Sequence, residues 1–103
     1  MKIDSAITCV SGGGSGLGAA TARYLSDQGA KVGILDYDID RAKAVALEVG
    51  GFAVQADVGD AQAVAAAITA ITNHFGAAPR IVVNCAGVAD AARIVGRGGK
   101  TSV

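Results

Sequence analysis

The chain reads Ala6-Ile-Thr-Cys-Val10 and then Ser11-Gly-Gly-Gly-Ser-Gly-Leu-Gly18 close to its N-terminus. The first run is apolar and predicts a short buried strand, whereas helical spacing of apolar residues begins at Leu17. The glycine cluster therefore lies where a strand passes into a helix. Unpaired N–H groups and a partial positive charge at a helix N-terminus favour an anion, and glycine lets a phosphate approach the backbone closely. A merely flexible turn in an Ala- and Gly-rich chain is the alternative explanation.

The rest of the chain repeats this alternation of strand and helix. Three further apolar runs, at 31–35, 52–56 and 81–85, predict strands. Asp38 or Asp40 can cap the second helix, and Asp60 the third. The predicted buried faces of the three helices are Leu17, Ala20, Tyr24 and Leu25; Ala42, Val45, Ala46 and Val49; and Val64, Ile68, Ile71 and Phe75. Continuously apolar strands joined by helices indicate an α/β fold with a parallel sheet covered on both faces.

An acidic residue follows the second strand at the position that matters most for a bound nucleotide. Asp36 comes 18 residues after Gly18, where an acid accepts hydrogen bonds from the adenosine ribose hydroxyls of a dinucleotide. A plain helix cap is the alternative, although Asp38 and Asp40 are also available for that task. A carboxylate here repels a 2′-phosphate, and no Arg or Lys lies in the glycine loop or directly after Asp36. The sequence therefore predicts NAD rather than NADP as the cofactor.

The third and fourth strands also end in polar or glycine-containing turns. Ligands of open parallel sheets bind beyond the carboxyl ends of the strands, where the strand order reverses. Asp57 is placed to reach the adenine amino group, and the segment 84–87 to reach the adenosine ribose and its neighbours. Asp57 could equally bond a turn amide.

Composition and charge argue against several other classes of protein. Nine basic and nine acidic residues give a formal net charge of zero, which leaves no basic face for nucleic acid. The apolar segment 63–72 is too short to cross a membrane, and the N-terminus lacks the features of a targeting peptide. Cys9 and Cys85 lie in apolar runs without C-x-x-C spacing, which predicts buried free thiols in a reducing cytoplasm. We expect no metal site.

These motifs together resemble the short-chain dehydrogenase/reductase family. The family's T-G-x-x-x-G-x-G motif reads S-G-G-G-S-G-L-G here, with Ser11 in place of Thr. Its N-N-A-G motif reads Asn84-Cys-Ala-Gly87, and its D-V pair is Asp57-Val58. The resemblance covers residues 6–88, and this variant of the motifs is most similar to the type-2 3-hydroxyacyl-CoA dehydrogenases.

The resemblance implies the N-terminal half of a doubly wound Rossmann fold with strand order 3-2-1-4. It implies an oxidoreductase that interconverts alcohols and ketones with NAD, acts on a small hydroxy or keto substrate and forms a homo-oligomer, a tetramer in the family. The glycine loop would hold the pyrophosphate, Asp36 the ribose, and Asp57 and Val58 the adenine. The cofactor-binding residues implied or predicted are Ser11, Gly12, Ser15, Gly16, Leu17, Gly18, Asp36, Asp57, Val58, Asn84, Cys85, Ala86 and Gly87.

The family's catalytic residues have no counterpart in this sequence. Its general acid/base is the Tyr of a Tyr-x-x-x-Lys pair that follows the fourth strand, whereas Tyr24 is followed four residues on by Gln28, and Tyr37 by Arg41. We therefore expect residues 1–88 to form the adenosine-binding half and residues 89–103 a mobile loop on the substrate side, with the catalytic half outside this chain. A non-catalytic dinucleotide-binding module and a truncated fragment are the alternatives.

Overall fold

Strands and helices alternate along the computed structural model, which describes residues 4–12, 14 and 16–85. The strands are β1 (Ile7–Ser11), β2 (Lys31–Asp36), β3 (Phe52–Gln55) and β4 (Ile81–Asn84). The helices are α1 (Gly16–Asp27), α2 (Ile39–Val49) and α3 (Ala61–Phe75). Each predicted element is present, and the strand ends differ from the predicted ones by a single residue.

The four strands form a parallel sheet in the order β3-β2-β1-β4, as predicted. Because neighbouring strands are parallel, their carboxyl ends meet at one edge of the sheet. Ser11 lies opposite Leu35 on one side and opposite Asn84 on the other. Asp36 lies opposite Gln55 of β3. This edge therefore gathers the ends of all four described strands.

Alternate residues of the central strands pack into two cores, one on each face of the sheet. Val10 and Ile34 lie in the core formed with α1 and α2, whereas Cys9 and Leu35 lie in the core formed with α3. Gly33 brings α3 close to β2, since a Cβ there would lie 2.8 Å from Cδ1 of the buried Ile71. Helices thus cover both faces, which is why the strands are continuously apolar.

The predicted buried face of α1 is right at Leu25 and wrong at its other three residues. Leu17 and Tyr24 are 53% and 59% exposed, and Ala20 is also exposed. The helix instead turns its small residues to the sheet, together with one large one: Gly18, Ala19, Ala22 and Leu25. Small side chains let the helix axis approach β1 closely, so the close approach outweighs the burial of larger apolar groups.

The helix ends follow the sequence signals. Asp38, rather than Asp40, caps α2 by accepting the N–H groups of Asp40 and Arg41. Asp60 caps α3 through Gln62 and Ala63 in the same way. Within the described part of the chain, no helix combines the length and apolar character needed to cross a membrane.

Candidate functional site

The ends of β1 and β4 are joined by their side chains at the carboxyl edge of the sheet. The Ser11 hydroxyl donates a hydrogen bond to Oδ1 of Asn84 at 3.0 Å, and its oxygen also lies 3.5 Å from the Val83 carbonyl oxygen. Ser11 occupies the position where the resembled family has Thr, so a hydroxyl is retained there. The pair ties the first residue of the glycine loop to the end of the fourth strand.

A small cleft lies beneath this edge on the α3 side of the sheet. Its volume is about 160 Å³, and its lining includes Ser11, Leu35, Val58, Val64, Ile68 and Asn84. Val58 follows β3 and Asn84 ends β4, the two outer strands of the described sheet. The fold therefore brings together three of the predicted site residues, although they are far apart in the sequence.

Asp36 is held by backbone groups on two sides. Its Oδ2 accepts a hydrogen bond from the N–H of Gly14 at 2.8 Å, and its Oδ1 accepts one from the N–H of Asp38 at 2.9 Å. The side chain remains partly exposed. Beside it, Gly12 has a positive φ of 71° and donates its N–H to the Leu35 carbonyl at 2.7 Å. Gly12 and Gly14 of the glycine loop therefore each donate a hydrogen bond to the end of β2.

Gly14 and Arg41 were not among the predicted site residues. A Cβ on Gly14 would lie 2.6 Å from Cβ of Arg41 and 2.7 Å from Oδ2 of Asp36, so glycine is required for the loop to approach both. Arg41 stands in the first turn of α2, and its Nε lies 3.4 Å from Oδ2 of Asp38. Arg41 therefore places its Cβ against the glycine loop, and its guanidinium lies beside the Asp38 carboxylate.

Asp57 adopts the turn geometry that the sequence left as an alternative. Its Oδ1 accepts the N–H of Gly59 at 2.9 Å, and its carbonyl accepts the N–H of Asp60 at 3.0 Å. The residue is exposed, as is Val58 next to it. Asp57 thus shapes the turn into α3 while its side chain stays open to solvent.

The two cysteines point to opposite faces of the sheet. Cys9 packs in the α3 core and Cys85 in the α1/α2 core, which excludes a disulfide between them. Burial raises the pKa of the Cys9 thiol to about 11. Cys85 is 3% exposed, with its sulfur 3.7 Å from the Thr21 hydroxyl. A cofactor contact at Cys85 would therefore fall to its main chain.

The other predicted residues differ in their surroundings. Gly16 and Leu17, which open α1, are exposed, whereas Gly18 is buried against the sheet. Ser15, Ala86, Gly87 and the predicted loop 89–103 lie outside the described residues. His74 is exposed and stacks on Phe52, with ring centroids 4.1 Å apart, near the opposite edge of the sheet. Among the residues described, no three His, Cys, Asp or Glu side chains gather as a metal site would require.

Curated proteins of known activity resemble this chain over most of its length. The 3-hydroxyacyl-CoA dehydrogenase type-2 of Drosophila melanogaster is 40% identical over 93 residues, which are 88% of this chain and 36% of the relative. The D-threitol dehydrogenase of Mycolicibacterium smegmatis is 38% identical over 96 residues, 86% of this chain and 36% of that protein. The chain spans little more than a third of the length of these relatives.

A solved structure shows the same arrangement of elements. The 3-ketoacyl-(acyl-carrier-protein) reductase of Brucella melitensis, crystallised in complex with NADH, superposes with a TM-score of 0.69 at 36% identity. The match covers 72% of this chain and 31% of that one. Residues 6–97 also match the sequence profile of the short chain dehydrogenases. Sequence, strand order and glycine loop agree, and the chain belongs to the short chain dehydrogenase family.

Proposed function

We propose that this chain supplies the adenosine-binding half of an NAD-dependent oxidoreductase that interconverts an alcohol and a ketone. The observation that carries the proposal is the carboxylate of Asp36. It lies at the carboxyl end of β2, hydrogen-bonded to the glycine loop and still partly exposed. A carboxylate between a glycine loop and the second strand is the group that receives a dinucleotide's ribose.

The surroundings of Asp36 suit NAD better than NADP. A carboxylate has about four lone-pair sites and no donor, and the two backbone N–H groups leave room for two ribose hydroxyls. A 2′-phosphate would bring two negative charges beside it. Arg41, the nearby cation, is paired with Asp38, which offsets its attraction for such a phosphate. Electrostatics therefore favours a free 2′-hydroxyl.

The remaining predicted residues divide between the other parts of the cofactor. We assign the pyrophosphate to the start of α1 and the loop before it, with Ser15, Gly16, Leu17 and Gly18. Ser11 and Gly12 set the course of the chain as it leaves β1. We assign the adenine to Asp57 and Val58, and the adenosine ribose and its neighbours to the segment 84–87. These assignments follow the family's motif position by position.

This chain binds and orients, and it does not move the substrate proton. When bound, the nicotinamide of the cofactor accepts or donates the hydride. A general acid/base must exchange the substrate's hydroxyl proton, and neither Tyr24 nor Tyr37 has the Lys partner that the family uses. The proton-transfer group therefore belongs to a part of the protein outside this chain, as do the residues that contact the substrate.

The substrate is proposed only as a class. The relatives include an enzyme named for a 3-hydroxyacyl-CoA and one named for a sugar alcohol, and both of these compounds carry a secondary hydroxyl group. A 3-hydroxyacyl-CoA is our first candidate because of the motif variant at the glycine loop. We further propose a homo-oligomer, a tetramer as in the family, working in the cytoplasm, where buried free thiols stay reduced.

Cofactor titration of the complete protein tests the proposal. NAD should bind more tightly than NADP, and NADH should form when a 3-hydroxyacyl-CoA or another secondary alcohol is added. Equal affinity for the two cofactors would contradict the assignment of Asp36. NAD binding without any turnover would instead favour a non-catalytic dinucleotide-binding module, the alternative suggested by the missing Tyr-x-x-x-Lys pair.

Residues 1–103 expressed alone provide the second test. We expect no hydride transfer from them, because neither Tyr24 nor Tyr37 has the Lys partner that the family uses. We also expect them to associate or to be only marginally stable, because β4 is an edge strand of the described sheet and exposes Val82. The catalytic half is thus the chain's main protein partner. A stable monomer that turned over substrate would show that the active site has been misplaced.

A further inference from the structure

The carboxylate of Asp36 connects two segments that are separate in the sequence. One oxygen accepts the N–H of Gly14 in the glycine loop, 22 residues earlier, and the other accepts the N–H of Asp38 in the turn before α2. Both bonds are short, at 2.8 and 2.9 Å. Hydrogen bonds to a charged acceptor are about twice as strong as neutral ones. The acid therefore bridges the glycine loop and the turn before α2.

The backbone of Gly14 packs tightly against Asp36 and Arg41. The position of a Cβ on residue 14 lies within 3 Å of both Oδ2 of Asp36 and Cβ of Arg41. The loop can reach the carboxylate only because residue 14 has no side chain. Glycine at this position thus serves the contact with Asp36 and α2, in addition to any closeness to a phosphate.

We propose that Asp36 is a positioning residue for the glycine loop as well as an acceptor for the ribose. The proposal rests on the dinucleotide site assigned above and adds a second task to that residue. A glycine-rich segment loses more conformational freedom than others when it is ordered around a ligand. By holding Gly14 in advance, Asp36 lowers this cost and strengthens binding at the pyrophosphate, which it does not touch.

The first test needs no cofactor. Amide hydrogen exchange is measured for the peptide spanning residues 11–18 in the purified, cofactor-free protein and in its Asp36→Ala variant. We expect faster exchange in the variant within this peptide, with unchanged exchange in the β1 and β4 strands. Asp60→Ala is the matched control, because it also removes a carboxylate that accepts two backbone N–H groups, both of them at the start of α3. Unchanged exchange at 11–18 in Asp36→Ala would overturn the proposal.

The second test separates the two tasks of Asp36. The probe is an NAD analogue whose adenosine ribose lacks both the 2′- and the 3′-hydroxyl, so that it makes no ribose hydrogen bond to the acid. Asp36→Ala should still weaken this analogue about three- to tenfold, the effect of losing one loop hydrogen bond. If the parent protein and the variant bound this analogue with the same affinity, Asp36 would have no positioning role and would act only as an acceptor for the ribose.

Failure of the cofactor proposal would look different. If NAD bound to neither protein, the proposed function would fail, while the exchange measurement would still decide the positioning role. Should Asp36→Ala not fold, Asp36→Asn keeps the shape of the side chain and one acceptor oxygen. It should show a smaller increase in exchange within 11–18, and no increase there would again count against the bridge.

Discussion

The carboxyl ends of β2 and β3 look alike in the sequence and differ in the structure. Each strand is followed closely by an aspartate, Asp36 or Asp57, and each aspartate is followed by a second one that caps the next helix. At the end of β2 the first acid bonds the amide two residues on and also a loop residue 22 positions away. At the end of β3 it bonds the amide two residues on.

Position in the sheet explains the difference. β2 lies next to β1, and Gly12 and Gly14, which follow β1, donate hydrogen bonds to the end of β2. In contrast, β3 is an outer strand of the described sheet. Both acids bond the amide two residues on, and the acid at the end of β2 bonds the glycine loop in addition. The same local signal therefore gives a contact with the glycine loop at the end of β2 and a contact within its own turn at the end of β3.

The largest expected effect is on cofactor affinity. Asp36→Ala should weaken NAD binding about ten- to hundredfold, since a charge-assisted hydrogen bond contributes about 1.5–3 kcal/mol. The same change should reduce the ratio of NAD affinity to NADP affinity. Asp57→Ala, the equivalent change at the end of β3, should have the smaller effect of the two. Calorimetric titration of both variants with both cofactors measures this. Equal losses at the two positions would remove the distinction between the strand ends.

The second effect is on stability and concerns the glycines that face the two acids. Gly14→Ala should destabilise the protein by about 1–3 kcal/mol, because its Cβ would collide with Asp36 and Arg41 and crowded substitutions cost this much. Gly59→Ala is the control at the end of β3, where the nearest atom to the new Cβ is Oδ1 of Asp57 at 3.3 Å, on an exposed side chain. Denaturant unfolding should show the smaller loss for Gly59→Ala.

Much of the fold could be predicted because it depends on short-range patterns. The apolar runs, the capping aspartates and the glycine stops are local, and the structure has an element at each place. The face of α1 could not be read in this way. Apolar periodicity favours large side chains such as Leu17 and Tyr24, whereas close packing on the sheet selects Gly18, Ala19 and Ala22.

The residues of the candidate site were likewise predicted where a local sequence pattern indicates them and missed where their role depends on packing. Its motif residues lie on the chain where glycine and acid spacing can be counted, so Asp36, Asp57 and Asn84 were predicted. Gly14 and Arg41 were missed, since their role depends on an approach between the loop and α2 that no spacing encodes. The residue type of Gly12 already indicates that a positive φ is possible there. The close contact that excludes a side chain at Gly14 could not be predicted, because it depends on where the fold places Asp36 and Arg41.

The third effect should be equal at the two ends. Asp38→Ala and Asp60→Ala each remove a helix cap that accepts two backbone N–H groups, which costs about 1 kcal/mol. The corresponding Asn variants should be close to the parent protein, because Asn caps helices as well as Asp does. Thermal unfolding would reveal the losses. A much larger loss for Asp38→Ala than for Asp60→Ala would mean that its contact with Arg41 also stabilises the fold.

The smallest effect is expected in β1, the strand between β2 and β4. Cys9 lies in it, and burial raises the pKa of its thiol from 9.0 to about 11. Burial disfavours the charged thiolate, so the neutral thiol persists in the folded protein up to that higher pH, and only about one Cys9 in a thousand is ionised at pH 8. Because the thiolate is the nucleophile, an alkylating reagent should leave Cys9 unmodified and NAD affinity unchanged near neutral pH.

Thiol counting completes this prediction. Without reductant, Cys9 of the folded protein should react slowly, with a rate that rises about tenfold per pH unit towards pH 11, as its thiolate fraction does. After denaturation the chain should show two free thiols, since Cys9 and Cys85 lie on opposite faces of the sheet and cannot be bonded to each other. Finding none would contradict the separation of the two cores. Rapid modification of Cys9 at pH 7 that also weakened NAD binding would contradict this prediction. It would mean that the Cys9 thiol is accessible and that its modification disturbs the candidate site at the carboxyl ends of β1 and its two neighbouring strands.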